Sequence, residues 1–521
     1  MSINGQVPGP LLRFREGQDV VIHVRNTTRE TTSIHWHGFL IPAAMDGVPG
    51  FNGFPGIAPG ESFTYRFRVR QHGTYWYHSH SSLQEQRGLY GPIIIDPATP
   101  EPDAAQRDYV VFLSDVPRDE PEIILNRLKT HPGYYNFHRR TVGDFARDAH
   151  TFGLGATLQD RLSWGAMRMD ATDLSDVAGY TFMINGRPPE TSQTLIFNPG
   201  ERVRLRLING GAMSLFDLRV PGLKLTVVGA DGRAVDPVEI DELRIGPGET
   251  YDLIVAPTGD QAFAVYAESI DRTGYALATL APQDGMRAPV PPMRPRAVLT
   301  MNDMGMSGDM PGMSMSGGHD MAGMDNGQMS EMSGMSHDMG AGLGMNGGVD
   351  GSGRTFGWGS EFPAEARVLN YADLRSLAPH AEAPAPTREI AMRLGGNMER
   401  YIWTINGETT ERAQPIAVRY GERVRITFTN ETMMAHPMHL HGMFVQLDNG
   451  QPADRLPDKH TIIIPPGQSV SAFLTADEVG QWAFHCHLFF HMATGMMTSL
   501  LVSNADGAPQ PASMADHGDH H

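Results

Sequence analysis

The stretch GQWAFHCHLFFHMATGMM, residues 480–497, contains the single cysteine of the chain, Cys486, between His485 and His487. Successive side chains of an extended strand point to opposite faces. If residues 484–488 form a strand, the Cys486 sulfur therefore faces away from the two neighbouring imidazoles. The sequence predicts that the thiol and the imidazoles serve different metals, one on each side of the strand.

The residues around the cysteine complete a recognisable kind of metal site. His491 and Met496 follow Cys486, and His436 comes just before another histidine pair. A trigonal site of two histidines and one cysteine, with a weak axial methionine, is typical of blue copper. A free cysteine or a methionine taken alone is more often a packed core residue, but the combination favours the metal site.

Three internal repeats organise the rest of the chain. Each copy begins with Ile-Asn-Gly, passes a variable stretch and a glycine turn, and ends in a strand that closes with Asn; the copies span 3–26, 184–209 and 405–430. In the second copy valine and leucine alternate with arginine, which is typical of a strand with one buried face. Such a repeat predicts domains of common origin.

The first and third copies share more than their openings. GTYWYHSH at 73–80 matches GQWAFHCH at 480–487, and IHWHG at 34–38 matches MHLHG at 438–442. The second copy lacks both histidine pairs. We expect an all-β fold of three sandwich domains, with metal chemistry in the first and third and a partly helical decoration of the second at 121–180.

Four His-X-His pairs each place two imidazoles on one face of a strand. Chance explains one such pair, but it explains poorly four pairs at matched places in two homologous regions. Converging neutral imidazoles suit borderline divalent metals, of which copper and zinc lead. The pairs are His35/His37, His78/His80, His439/His441 and His485/His487.

Composition and charge exclude several classes of function. The formal net charge of −18 opposes broad contact with nucleic acid or an anionic membrane. One cysteine in 521 residues excludes an intrachain disulfide framework and zinc sites built from several thiolates. No apolar run approaches the length that spans a bilayer. Residues 301–345 hold thirteen of the 31 methionines, and their composition predicts a flexible, disordered insert.

The motifs HWHG, HSH, HPMHLHG and HCHLFFHMATGM resemble the four copper-binding motifs of the multicopper oxidases, in family order. MDGVPGF and LQEQRGLYGPIIIDP resemble most closely the bacterial copper-resistance protein A subgroup, which is laccase-like. The resemblance implies three cupredoxin-like Greek-key β-sandwich domains. We expect them at 1–100, 101–295 and 366–503, with a Met-rich flexible insert and linker at 296–365 and a disordered tail at 504–521.

The resemblance also implies four copper ions and assigns their ligands residue by residue. One type 1 copper is expected at His436, Cys486, His491 and Met496. One type 2 copper is expected at His35 and His439. Two type 3 coppers are expected at His37, His78, His80, His441, His485 and His487.

The activity that the resemblance implies is one-electron oxidation of phenols, aromatic amines or Cu(I), coupled to reduction of O₂ to water. Electrons are expected to leave the type 1 copper through Cys486 and to reach His485 or His487. The alternative is a periplasmic copper-binding protein that buffers copper without turnover, although the complete set of cluster histidines argues against it. We expect a periplasmic or exported monomer, with no membrane span and with its leader absent from this chain.

Two further expectations concern side chains outside this ligand set. Asp46 lies where the family carries an acid near the type 2 copper, so we expect it to supply protons; an ordinary Asp-Gly turn residue is the alternative. Several bacterial relatives carry a proton-relaying Glu after the last type 1 histidine, where this chain has Met492. Thioethers select Cu(I), so the insert offers candidates for its capture: Met313, Met315, Met321, Met324, Met329, Met332, Met335 and Met339.

Overall fold

The computed structural model describes residues 1–100, 104–300, 362–363 and 365–504. Among these residues strands predominate over helices, which confirms the predicted all-β class. The eight candidate methionines of the insert and the tail beyond residue 504 lie outside the described residues. No helix of the described residues has the length and apolar character that crossing a bilayer requires. The domain boundaries that we expect from the sequence stay predictions.

The first region contains β1 (Leu12–Arg15), β2 (Asp19–Arg25), β3 (His35–His37), β4 (Ser62–Arg68), β5 (Gly73–His78) and β6 (Tyr90–Asp96). One sheet has the order β1-β6-β5-β3, and β2 pairs with β4. Alternation decides which face of β2 is buried: Val20 and Ile22 contact the core, whereas Val21 is 49% exposed. In the antiparallel pair β3–β5, His35 lies opposite His78.

The second region combines helices with two larger sheets. Its elements are β7 (Arg107–Val116), α1 (Pro121–Thr130), α2 (Val142–Phe152), α3 (Leu154–Ala166), β8 (Thr181–Ile184), β9 (Thr194–Ile196), β10 (Val203–Asn209), β11 (Phe216–Arg219), β12 (Leu225–Ala230), β13 (Arg233–Ile240), β14 (Glu242–Ile245), β15 (Thr250–Val255), β16 (Phe263–Ser269) and β17 (Tyr275–Ala281). The sheets have the orders β13-β12-β15-β10-β7-β8 and β14-β11-β16-β17-β9. The helices bury Ile124, Leu128 and Trp164 in the main core, which confirms the helical decoration.

The third region again forms two sheets. Its elements are β18 (Glu389–Asn397), β19 (Ile402–Ile405), β20 (Ile416–Arg419), β21 (Arg423–Asn430), β22 (His436–Leu440), β23 (Val445–Leu447), β24 (Asp458–Lys459), β25 (Thr461–Ile464), β26 (Ser469–Thr475), β27 (Gly480–Cys486), α4 (Phe489–Ala493) and β28 (Met497–Ser503). The orders are β19-β18-β21-β26-β23-β24 and β20-β28-β27-β22-β25. In the β22–β27 pair, His439 lies opposite His485 and Met438 opposite Cys486. The His439–His485 pairing repeats that of β3 and β5.

The Ile-Asn-Gly opening of each repeat forms the same tight turn. Asn4, Asn185 and Asn406 have φ values of 52°, 51° and 55°, and the glycine after each also has a positive φ. Two consecutive residues with positive φ define the type I′ turn, for which Asn-Gly is the preferred pair. In each copy the Ile before the turn bridges to the residue three positions later. The three copies therefore share local structure as well as sequence.

The first and third regions contact each other directly. The Asn52 side chain accepts a hydrogen bond from the backbone N–H of Gln481 and donates one to its carbonyl, both at 2.8 Å. Arg70 pairs with Glu478 at 2.9 Å close by. These contacts hold the start of β27 against a loop of the first region, which brings the histidine pairs of the two chain ends together.

Candidate metal centres

Strands β22 and β27 bring the cysteine and two histidines together. His436 begins β22, Cys486 ends β27, and His491 lies in α4, directly after that strand. The Cys486 Sγ lies 3.6 Å from His436 Nδ1 and 3.8 Å from His491 Nδ1, and the two nitrogens are 3.1 Å apart. All three side chains are fully buried. The structure therefore collects these three predicted residues into a group that one metal ion could bridge.

The predicted axial residue, Met496, is also fully buried and adjoins this group. Its backbone N–H donates to the carbonyl of His491 at 2.9 Å, and its carbonyl accepts from the N–H of Cys486 at 3.0 Å. The chain after β27 thus folds back on the strand end. Burial raises the pKa of the Cys486 thiol, so in the metal-free protein the sulfur stays protonated.

The far nitrogen of each imidazole in this group has a partner of its own. His436 Nε2 lies 2.8 Å from the Thr432 hydroxyl, and His491 Nε2 lies 2.6 Å from an Asp176 carboxylate oxygen. Both rings therefore keep Nδ1 on the side of the sulfur, as outer partners of metal-binding histidines commonly arrange. Sequence reasoning missed Thr432 and Asp176, since neither belongs to a repeated histidine motif.

The four His-X-His pairs converge between the first and third regions. The rings of His35 and His441 stack with centroids 3.7 Å apart, and those of His37 and His439 do the same. Each stack joins one ring from each end of the chain. The structure thus gathers all eight predicted residues in one cluster: His35, His37, His78, His80, His439, His441, His485 and His487.

The cluster concentrates buried nitrogen atoms that lack a hydrogen-bond partner among the described residues. They are His35 Nε2, His37 Nδ1, His78 Nε2, His80 Nε2, His439 Nε2 and both ring nitrogens of His487. Buried polar atoms without partners are costly and rare. Burial lowers the pKa of His37, His78, His80, His439 and His487, and that of His485 to about 3, which keeps these rings neutral. Neutral imidazole is a good ligand for copper, so the residues present fit the metal that the sequence predicts.

Asp46 lies against the cluster, as the sequence predicts. Its carboxylate is 3.0 Å from His441 Nδ1 and 3.2 Å from His35 Nδ1, and its backbone carbonyl is 2.9 Å from the same His35 atom. The side chain is 2% exposed. Asp46 therefore contacts one histidine from each end of the chain.

A second carboxyl group at the cluster was missed. Glu85 follows the His78/His80 pair in a turn before β6, and one of its oxygens lies 2.7 Å from His78 Nδ1. The other oxygen lies 4.0 Å from His487 Nδ1. Burial raises the pKa of Glu85 well above its ordinary value. An alignment of HSHSSLQE with HCHLFFHM could have drawn attention to this position, which corresponds to Met492.

A ninth histidine, which belongs to none of the four His-X-His pairs, borders the cluster. The ring of His460 lies with its centroid 4.8 Å from that of His37, and its carbonyl oxygen is 2.8 Å from His439 Nδ1. Burial lowers the pKa of His460 to about 4. Its backbone N–H donates to Asp231, which also contacts the buried Lys459 at 3.2 Å. His460 therefore links the cluster to a buried charge network.

Comparisons with known proteins agree with this geometry. Three family models, each described as multicopper oxidase, match residues 1–100, 164–284 and 383–506. Two of the solved structures that share the fold illustrate the match. Fet3p, a multicopper oxidase of iron import, superposes with a TM-score of 0.65 at 18% identity, covering 96% of this chain and 86% of its own. The laccase of Botrytis aclada gives 0.64 at 21% identity, covering 96% and 83%.

Curated relatives are similar over almost the whole chain. Copper resistance protein A of Escherichia coli is 46% identical over 96% of this chain and 89% of its own. Its homolog from Pseudomonas syringae pv. tomato is 47% identical with the same coverage. Multicopper oxidase MmcO of Mycobacterium tuberculosis is 31% identical, covering 96% of this chain and 82% of its own. With matched family models at both histidine-bearing ends and in the middle region, this chain belongs to the multicopper oxidase family.

Proposed function

We propose that the protein is a copper-tolerance oxidase that takes single electrons from Cu(I), phenols or aromatic amines and uses them to reduce O₂ to water. The observation that carries this proposal is the end of strand β27. There Cys486 contacts one buried donor group, while its neighbours His485 and His487 contact the other. Relatives named copper resistance protein A, 46–47% identical, support the role in copper tolerance.

We assign four copper ions to the two donor groups. His436, Cys486, His491 and Met496 would hold the type 1 copper. His35 and His439 would hold the type 2 copper. The type 3 pair would be held by His37, His78, His80, His441, His485 and His487. The buried ring nitrogens without partners and the short contacts around Cys486 support this assignment.

Bound copper would supply one-electron redox chemistry and the reduction of O₂. The residues of the chain arrange the two donor groups that would hold the copper. Cys486 and its two sequence neighbours join the donor groups through a few covalent bonds, and burial excludes water from both. Asp46 contacts the Nδ1 atoms of His35 and His441, which leaves their Nε2 atoms turned toward the cluster. We propose that Asp46 also passes protons to the reduced oxygen.

The Asp46 proposal predicts a loss of activity without a loss of fold. Changing Asp46 to Asn keeps the size of the side chain but removes the charge and one acceptor. We expect oxygen uptake to fall about 10–100-fold, as for other outer partners of metal ligands. The type 1 visible absorption band of the same variant serves as the control and should not change. Full oxygen uptake by the variant would contradict the assignment.

Oxygen uptake by the fully copper-loaded protein with a reducing dye tests the function itself. We expect sustained uptake and an intense blue absorption band. A loaded protein that shows neither would support the alternative, a periplasmic protein that buffers copper without turnover. Uptake driven by Cu(I), compared with uptake driven by a phenol under the same conditions, then ranks the substrates.

Capture of Cu(I) by the Met-rich segment is a separate part of the proposal, which rests on composition, since thioethers prefer Cu(I). Deletion of residues 301–345 should lower Cu(I) oxidation more than phenol oxidation. Equal losses, or no loss, would exclude the role.

We further propose a periplasmic or exported location and a monomeric state. The supporting observation for the monomer is that both halves of the histidine cluster come from one chain. Cell fractionation and sedimentation of the loaded protein test these two points.

A further inference from the structure

Two carboxyl groups of the described residues lie beside the eight-histidine cluster, Asp46 at 3.0 and 3.2 Å from two ring nitrogens and Glu85 at 2.7 and 4.0 Å from two others. Asp46 contacts one histidine of each chain end, and Glu85 contacts another such pair, His78 and His487. No other Asp or Glu of the described residues has a carboxylate oxygen within 4.0 Å of a ring nitrogen of these eight histidines. One buried carboxyl group therefore lies beside His35 and His441, and another lies beside His78 and His487.

The contact between Glu85 and His78 bears on which nitrogen of the ring can bind a metal. Glu85 Oε2 lies 2.7 Å from His78 Nδ1, and the carbonyl oxygen of Ser79, the hydrogen-bond partner of that nitrogen, lies 3.3 Å from it. If Nδ1 carries the hydrogen that faces these two oxygens, the lone pair is left on Nε2. That Nε2 atom is buried in the cluster and has no partner among the described residues. The groups on the Nδ1 side of the His78 ring thus favour the orientation in which Nε2 can bind a metal.

The neighbours of Glu85 hold its backbone in place. The Gln84 side chain donates to the carbonyl of Thr31 at 2.9 Å, and the Gln86 side chain donates to that of Asp115 at 3.2 Å. Both glutamines are buried. Because the residues on either side are anchored to different strands and loops, the carboxyl group has little freedom to leave the ring. Such fixation is what a positioning residue needs.

The third region has no counterpart of Glu85. The equivalent place after β27 holds Met492, which packs against the main core through apolar contacts. The first region alone therefore supplies a carboxyl group at this position, and it reaches across to His487 of the third region.

We propose that Glu85 is a positioning residue of the copper cluster: together with the Ser79 carbonyl it faces Nδ1 of His78, it lies behind His487, and it so favours hydrogen on Nδ1 and a free Nε2 directed at copper. The inference rests on the ligand assignment proposed above. Glu85 touches neither substrate nor metal in this role. It acts through the two rings, as Asp46 acts through His35 and His441.

Two variants test the role through copper binding rather than through turnover. Glu85→Met introduces the residue of the equivalent third-region position and removes the acceptor, whereas Glu85→Gln keeps a carbonyl oxygen that can accept from Nδ1. We expect Glu85→Met to weaken copper binding at the cluster about 10–100-fold and to lose the near-ultraviolet absorption of paired copper. Glu85→Gln should retain both properties, and both variants should keep the blue band of the distant Cys486 group.

Three results would overturn the inference: cluster copper and near-ultraviolet absorption unchanged in Glu85→Met, equal losses in both variants, or loss of the blue band with cluster copper intact. The wild-type protein separates this failure from failure of the proposed function. Wild-type protein without a blue band, near-ultraviolet absorption or oxygen uptake would refute the function. A normal wild type beside a normal Glu85→Met refutes the role of Glu85 alone.

A direct measurement covers the case in which Glu85→Met does not fold. In the fully reduced, copper-loaded wild-type protein, ¹⁵N spectra of labelled histidines report which ring nitrogen carries hydrogen, because Cu(I) is diamagnetic. We expect His78, assigned by comparison with His78→Gln, to carry hydrogen on Nδ1. Hydrogen on Nε2 would overturn the proposal.

Discussion

The first and third regions contain two pockets with the same backbone and different side chains. In the third region the N–H of Cys486 donates to the carbonyl of Met496 at 3.0 Å. In the first region the N–H of Ser79 donates to the carbonyl of Leu89 at 2.9 Å. The next bond is also shared, since Leu89 and Met496 each donate back to the residue five positions earlier. The two loops therefore have the same backbone hydrogen-bond pattern.

The side chains decide which pocket needs a metal. In the first region the Gln84 side-chain oxygen accepts from the Thr32 hydroxyl at 2.7 Å and from the Ser79 hydroxyl at 2.9 Å. These groups satisfy one another. In the third region the equivalent places hold two imidazole nitrogens and a sulfur that crowd together. The comparison teaches that four substitutions on a shared backbone, including Met496 in place of Leu89, separate a hydrogen-bonded core from the proposed type 1 site.

The largest expected effect comes from replacing Cys486 in the third-region pocket with serine, the residue at the same place in the first-region pocket. Cys486→Ser should abolish the blue band and reduce oxygen uptake to background, because the sulfur ligand is lost. The histidine cluster should keep most of its copper, which metal analysis would measure. Ser79→Ala is the matched control and should leave the band unchanged. A blue band that survives Cys486→Ser would disprove the type 1 assignment.

His491→Gln copies the first pocket at a second position. We expect the blue band to weaken or shift, and oxygen uptake to fall further than the roughly 10–100-fold typical of outer partners, because a direct ligand is replaced. Visible spectra and uptake rates measure both effects. The near-ultraviolet absorption of the cluster is the internal control. A variant with wild-type spectra and rates would show that His491 is not a ligand.

A substitution in the first-region pocket should change the stability of the protein but not its blue absorption band. Gln84→Ala leaves the buried hydroxyls of Thr32 and Ser79 without their acceptor, so the free energy of unfolding should fall by about 1–3 kcal/mol. Urea unfolding of the metal-free protein measures this change. The blue band of the loaded variant should match that of the wild type. Unchanged stability would mean that the pocket is not satisfied in the way its distances indicate.

Acid should destabilise the metal-free protein through its buried rings. Burial lowers the pKa of His436 well below its ordinary value and that of His485 to about 3, whereas unfolded histidine titrates near 6.5. Below about pH 6.5 the unfolded chain therefore binds more protons than the folded one. The free energy of unfolding then falls by about 1.4 kcal/mol per pH unit for each such ring.

Urea unfolding of metal-free protein at pH 7, 6 and 5 measures this slope. His436→Thr, which copies Thr32, should make the slope shallower by up to about 1.4 kcal/mol per pH unit. Identical slopes for the variant and the wild type would show that His436 does not contribute.

Features that follow the two-residue period of a strand could be predicted from the sequence, whereas individual contacts between distant segments could not. The His-X-His pairs follow the alternation of a strand, and their repetition at both ends of the chain identifies the cluster. Because Cys486 lies between two such histidines, its side chain is predicted to lie on the opposite face of the strand. Glu85 and Asp176 come from irregular segments, so their positions depend on how distant regions pack. Comparison of the repeats locates the first of these, whereas nothing periodic marks Asp176.

The division of the histidines between the chain ends also bears on synthesis. Four cluster histidines lie before residue 81 and the other four after residue 438. A ribosome-bound chain can therefore present at most half of the proposed oxygen-reducing centre until nearly all of the protein has been made. The order of translation thus withholds the oxygen chemistry from unfinished molecules.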